Sequence, residues 1–88
     1  METVRAHRKP DADQAEAEEI ANAAADALGG RLAPDGFWID RDRGSYAYAF
    51  PSGTSTAEGR TALLEALDQV APAGESKSGW QGWLEIED

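Results

Sequence analysis

The chain has 88 residues, a net charge of −9, no cysteine and a single histidine. At that length it forms one domain with a thin core, and without cysteine it has no disulfide framework, thiolate nucleophile or thiolate metal site. Its charge repels nucleic acid and anionic membranes at long range and attracts basic partners. No apolar run approaches bilayer-spanning length, and METVRAHRKPDAD lacks the hydrophobic stretch of a secretory signal, so a cytoplasmic protein is expected.

The charge is unevenly placed. Residues 1–9 carry +2, residues 10–28 carry −6 without one cation, residues 29–60 balance at zero, and residues 61–88 carry −5. Residues 1–10 show no periodicity and read as a mobile basic arm, leaving 11–88 as the folded domain. A helix is expected from Asp11 as N-cap, with Gln14 three residues on and the early carboxylates Asp13 and Glu16 at the positive end of the dipole. It stops at Gly29-Gly30. At 3.6-residue spacing Ala17, Ile20, Ala21, Ala24, Ala27 and Leu28 share its buried face, which is mostly alanine. On the other face Glu16, Glu19 and Asp26 line up with Glu18 nearby and no cation three or four residues away, a small unrelieved repulsion.

After a turn at Pro34-Asp35-Gly36, the spacing predicts strands over 37–41 and 45–50 joined around Asp42-Arg43-Gly44. Ser55 followed by Glu58 forms a capping box for a helix from 56 to 71 with Leu63, Leu67 and Val70 on one stripe, closed by Pro72. A polar loop over 72–79 leads to WQGWLEIED, a final strand placing Leu84 and Ile86 opposite Trp83, Glu85 and Glu87. The expected fold is α+β in the order α-β-β-α-β: a three-stranded antiparallel sheet with two helices on one face and the last strand beside the first.

Residues 37–50 hold five of the seven aromatic residues, and the hairpin register decides which way they point. A two-residue turn at Arg43-Gly44 pairs residues whose numbers sum to 87 and puts Phe37, Ile39, Tyr46, Tyr48 and Phe50 on one face. A three-residue loop with a bulged Gly44 groups Trp38 with Tyr46, Tyr48 and Phe50 instead. The first buries more apolar area and is preferred. It leaves Trp38, Asp40 and Asp42 on the open face, where Trp83, Glu85 and Glu87 join them: two indoles ringed by carboxylates, the composition of an interaction patch. The alternative is that the rings lie flat across the sheet beneath the arm or the 72–79 loop.

Catalytic and metal chemistry finds few residues here. His7 lies in the expected arm among Arg5, Arg8 and Lys9, where a general base or metal ligand would lack a held geometry. GTSTAEGRT departs from the phosphate-loop pattern by one residue of spacing and an Arg60 in place of lysine, and its helix start is already capped. Asp40-Arg41-Asp42-Arg43-Gly44 has the opening spacing of a calcium loop but lacks its third acid and distal glutamate. No catalytic residue, metal or cofactor is therefore expected.

The sequence points to a small acidic, non-catalytic protein-binding module. Its candidate contacts are Glu16, Glu19, Asp26, Trp38, Asp40, Asp42, Trp83, Glu85 and Glu87, and its expected partner is a protein with a basic, nucleic-acid-binding surface. Neither nucleic acid nor membrane is expected as a direct partner. In class and size alone it resembles the acidic α+β inhibitors encoded by phages and plasmids, among them anti-restriction and anti-CRISPR proteins. Two alternatives stand beside this: a homo-oligomeric accessory subunit, such as a homodimer that covers the bare sheet face, and a salt-adapted domain whose acids only manage hydration.

Overall fold

A computed structural model of the chain describes residues 2–70 and 79–87. The elements are β1 (Glu2–Arg8), α1 (Gln14–Leu28), β2 (Phe37–Asp40), β3 (Ser45–Phe50), α2 (Thr56–Val70) and β4 (Leu84–Ile86), with 3₁₀ turns at Gly29–Arg31 and Gly79–Gly82. The polar loop expected over 72–79 lies, apart from Gly79, outside the described residues. The architecture is α+β as expected, but the sheet has four antiparallel strands in the order β2-β3-β1-β4.

The added strand is the segment read as a mobile arm. β1 runs through the middle of the sheet, pairing with β3 from Glu2↔Phe50 to His7↔Ser45 and with β4 from Ala6↔Ile86 to Arg8↔Leu84. Its period-2 pattern is present but faint. Only Val4 and Ala6 turn into the core, while Thr3, Arg5 and His7 alternate onto the other face. Two small apolar residues among cations carry little hydrophobic signal, and the strand is held largely by its ladders on both sides. The expected neighbour of the last strand changes in consequence: β4 lies against β1, not against β2.

These pairings make β1 parallel to β2 with β3 between them, and β3 parallel to β4 with β1 between them. The chain is thus two interlocked split β-α-β units, the β-α-β-β-α-β topology of ferredoxin-like folds. Both helices pack on one face, where Val4, Ala6, Tyr46, Tyr48, Phe50 and Leu84 meet Ala17, Ala21, Ala24 and Leu28 of α1 and Leu63, Ala66 and Leu67 of α2. The alanine face of α1 lets its backbone come near the sheet. There the Tyr48 hydroxyl donates to the Ala21 carbonyl at 2.8 Å. Burial pushes the Tyr48 phenol well above its ordinary range and raises that of Tyr46 as well.

Local signals set most element ends. The N-cap of α1 is Asp13, whose carboxylate accepts from the Glu16 amide at 3.0 Å, so the helix starts two residues later than an Asp11 cap implies. At α2 the capping box is reciprocal: Glu58 N–H donates to Ser55 Oγ at 3.1 Å, and Ser55 N–H donates to Glu58 Oε1 at 3.2 Å. Before β2 the chain passes through Gly36, where a Cβ would lie 2.6 Å from both the Ala33 and Ala49 carbonyl oxygens. Only glycine fits there.

The hairpin pairs Phe37↔Tyr48, Trp38↔Ala47, Ile39↔Tyr46 and Asp40↔Ser45, a register shifted by two residues from the preferred one. Because strand sides alternate, a shift of two keeps every side chain on its expected face. Phe37, Ile39, Tyr46, Tyr48 and Phe50 face the helices, with the Phe37 and Tyr48 rings 5.0 Å apart. The longer loop, residues 41–44, is set by the Asp40 carboxylate accepting from the Arg43 amide at 3.3 Å and by Gly44 at φ +65°.

Candidate functional site

The nine candidate contacts of the sequence lie on two surfaces of the fold, as expected for an acidic helix face and an open sheet face, but Trp83 changes sides. Trp38, Asp40, Glu85 and Glu87 lie on or beside the uncovered face of the sheet, with Asp42 exposed in the hairpin loop. Glu16, Glu19 and Asp26 are exposed on α1, which covers the opposite face. Trp83 goes with the helices, not with Trp38. The expectation of a continuing strand fails because β4 starts only at Leu84. Trp83 closes the preceding turn, its amide donating to the Trp80 carbonyl at 2.9 Å and its carbonyl accepting from Lys9 N–H at 2.9 Å. The indole reaches α1 and packs, half-buried, on the edge of the core, with Nε1 3.4 Å from Glu16 Oε1. The third indole, Trp80, is buried and donates to Asp68 at 2.8 Å.

On the helical side this builds a groove of about 240 Å³ lined by Glu16, Glu19, Ile20, Ala23, Val70 and Trp83. The helix residues are spaced i, i+3, i+4, i+7, which places them on one stripe. α1 carries four carboxylates and no cation between Gln14 and Leu28. One of them is neutralised: Arg41 in the hairpin loop forks onto Glu18 at 2.9 and 3.2 Å. That hydrogen-bonded guanidinium, with help from Gln14, holds the Glu18 carboxyl below its usual range, and the pairing raises Arg41 in return. Glu16, Glu19 and Asp26 form no ion pair with a cation among the described residues.

The sheet side is different in kind. Its shallow depression of about 510 Å³ is lined by Arg5, His7, Trp38, Asp40, Arg43, Ser45, Ala47 and Glu87. Cross-strand pairing arranges them in rows. One row reads Glu85, His7, Ser45, Asp40 from β4 to β2; the next reads Arg5, Ala47, Trp38, with Glu87 beyond, its amide on the Arg5 carbonyl at 2.9 Å. Trp38, at 48% exposure, is the exposed large hydrophobic residue of the described chain.

His7, assigned no held geometry by the sequence, is gripped at both ring nitrogens. Nε2 lies 2.9 Å from Glu87 Oε1 and Nδ1 lies 3.0 Å from Ser45 Oγ. A carboxylate only accepts, so in the neutral ring Nε2 carries the proton and Nδ1 accepts from the serine hydroxyl. The arrangement fastens the end of β4 to the two central strands. Sequence alone gave no signal for it, since 80 residues separate His7 from Glu87 and 38 separate it from Ser45.

Among the described residues no three His, Asp or Glu side chains converge as metal ligands, and no helix is long and apolar enough to cross a membrane. No family model, curated protein or solved structure matches the chain.

Proposed function

We propose that this protein is a protein-binding module whose docking surface is the acidic side of α1 with Trp83, and whose partner presents a basic, partly apolar segment of a nucleic-acid-binding surface. The observation that carries this reading is the meeting of Trp83 with Glu16 and Glu19 beside Ile20, Ala23 and Val70. An indole and aliphatic carbons supply an apolar anchor, and carboxylates without cations supply the rim, the division of labour found in protein interfaces. The acids that remain unpaired on α1 act at longer range, steering a cationic partner into place. A small acidic protein that occupies a nucleic-acid-binding surface acts as an inhibitor of its partner, as phage- or plasmid-encoded antagonists of host defence do.

The test is a titration against basic nucleic-acid-binding complexes of the host at about 50 mM and about 300 mM salt, where screening lengths differ by more than twofold. Binding is expected at the lower salt and to weaken at the higher. Trp83→Ala is expected to lose at least tenfold in affinity, and Glu16→Gln with Glu19→Gln to flatten the salt dependence. Absence of a complex at both salt concentrations, or binding indifferent to all three substitutions, would remove the proposal.

A further inference from the structure

The side chains gathered at the end of β4 hold more order than fastening a strand requires. Backbone ladders already fix β4 against β1, and the Glu87 amide closes onto the Arg5 carbonyl at 2.9 Å. The side chains add a directed chain of hydrogen bonds. Glu87 Oε1 lies 2.9 Å from His7 Nε2, and His7 Nδ1 lies 3.0 Å from Ser45 Oγ. Because the carboxylate claims the Nε2 proton, the neutral ring turns a lone pair on the serine O–H. Asp40, paired with Ser45 across the hairpin, is the competing acceptor. Its carboxylate is engaged by Arg43 instead, taking the amide at 3.3 Å with Nε 3.8 Å away. A hydroxyl bonded to an imidazole that a carboxylate orients is the constellation of nucleophilic catalysis.

The geometry points to an acyl-transfer site in which Ser45 is the nucleophile, His7 the general base and Glu87 the positioning residue, with a small neutral aryl ester as substrate. The space for that substrate lies beside the serine. The depression of about 510 Å³ falls within the range of small-molecule sites. Ala47, two residues along β3 and on the same side as Ser45, forms a floor about 7 Å from it, and its single methyl leaves room for a ring. Trp38, paired with Ala47 on β2 and 48% exposed, offers that ring a wall to stack on. Across Ala47 on β1 stands Arg5, exposed and without a side-chain hydrogen bond or ion pair among the described residues. Arg5 and Ser45 are diagonal neighbours, about 7–8 Å apart, a span that a long side chain covers. Its guanidinium is therefore placed to stabilise an oxyanion formed at Ser45. The carboxylates of Asp40 and Glu87 line the same depression and repel an anionic substrate, which favours a neutral ester.

In the first step Ser45 Oγ bonds to the carbonyl carbon while its proton passes to His7 Nδ1. The carbonyl π pair moves onto oxygen, and Glu87 stabilises the imidazolium through Nε2–H. Collapse of the tetrahedral adduct breaks the bond to the aryl oxygen, which takes the Nδ1 proton and leaves as a phenol. Water then adds to the acyl-serine and gives its proton to Nδ1. When the bond to Oγ breaks, that proton returns to Ser45 and a carboxylic acid leaves. The sum is ester and water to phenol and acid. This site lies on the sheet face that the helices leave uncovered, so it stands or falls independently of docking on the helical side.

A fluorophosphonate, which phosphonylates activated serines, and para-nitrophenyl acetate test this on the full chain. Peptide mass spectrometry is expected to find the phosphonyl group on Ser45, with the other serines of the chain as internal controls. Ester hydrolysis is expected to saturate and to vanish in Ser45→Ala. His7→Gln is expected to lower both labelling and kcat by about 100-fold, the usual range for loss of a general base. Trp38→Ala should raise KM with little change in kcat, whereas Glu87→Gln should lower kcat with little change in KM. Circular dichroism verifies that each variant is folded. A surface imidazole acting alone hydrolyses this ester without a serine, so hydrolysis that survives Ser45→Ala would overturn the inference. So would a Ser45 labelled no faster than the other serines of the unaltered chain, or wild-type labelling in folded His7→Gln.

Discussion

Replacing Gly59 by alanine sets two effects of opposite sign against each other. Gly59 lies inside α2, where alanine is favoured over glycine by about 1 kcal/mol. An added Cβ, however, would sit 2.8 Å from Phe50 Cδ2 and 2.9 Å from Cε2. Carbon pairs prefer about 3.5–4.0 Å, so the methyl intrudes by roughly 1 Å on two ring atoms. Phe50 is 1% exposed on β3, and its ring has no solvent to retreat into. Overpacking of this kind costs about 1–3 kcal/mol, which cancels or exceeds the propensity gain. The expected net change is a loss of about 1 kcal/mol, or a fall of about 4–8 °C in melting temperature for a domain of this size. Urea unfolding of the full chain measures it. Gly30→Ala is the control, since its Cβ meets nothing within 4 Å and its φ is not positive; it is expected to change stability by less than about 0.5 kcal/mol. Phe50→Leu in the same chain should make Gly59→Ala less harmful, because the two residues are in contact and their effects couple. If Gly59→Ala alone raises stability by the full propensity gain, α2 does not press on Phe50 and the account of this contact is wrong.

Three further outcomes follow from the same packing. Val4→Asp buries an uncompensated carboxylate in a central strand, and the cooperative thermal transition is expected to disappear; a mobile arm would tolerate the change. Asp13→Ala is expected to lower stability by about 1 kcal/mol in urea while Asp11→Ala leaves it nearly unchanged, because Asp13 is the residue that caps α1. Burial raises the Tyr48 phenol above its unfolded value, so the stability this linkage provides is complete below about pH 10 and is lost as the pH climbs beyond it. Tyr48→Phe should therefore cost about 0.5–1.5 kcal/mol near pH 8, through the lost bond to the Ala21 carbonyl, yet show a shallower decline in urea midpoint between about pH 9 and pH 11.

Chain-local chemistry was enough to place both helices, their glycine and capping-box ends, and the hairpin. Each of those signals acts over a few residues: Ser55 reaches Glu58, and Gly29 turns with φ +48° where α1 ends. Alternation likewise assigned the hairpin side chains to their faces, and that assignment survived a register shift of two because two is the strand period. The acidic face of α1 was legible for the same reason, as a stripe within one helix.

What local pattern could not supply were the relations between distant segments. β1 carries too little apolar area to announce itself, and becomes a strand because β3 and β4 offer it hydrogen-bonding edges on both sides. Trp83 alternates on paper with Leu84, but a 3₁₀ turn rotates it out of the strand and onto Glu16, 67 residues away in the chain. His7 gains its two partners only when β3 and β4 close around β1. In each case the deciding free energy comes from surfaces and ladders that exist only after the chain has folded. The sequence by itself thus determined which segments are helices, which rings of the hairpin face inward and where charge collects. The tertiary structure alone decided the number and order of strands, and which indole stands beside which carboxylate.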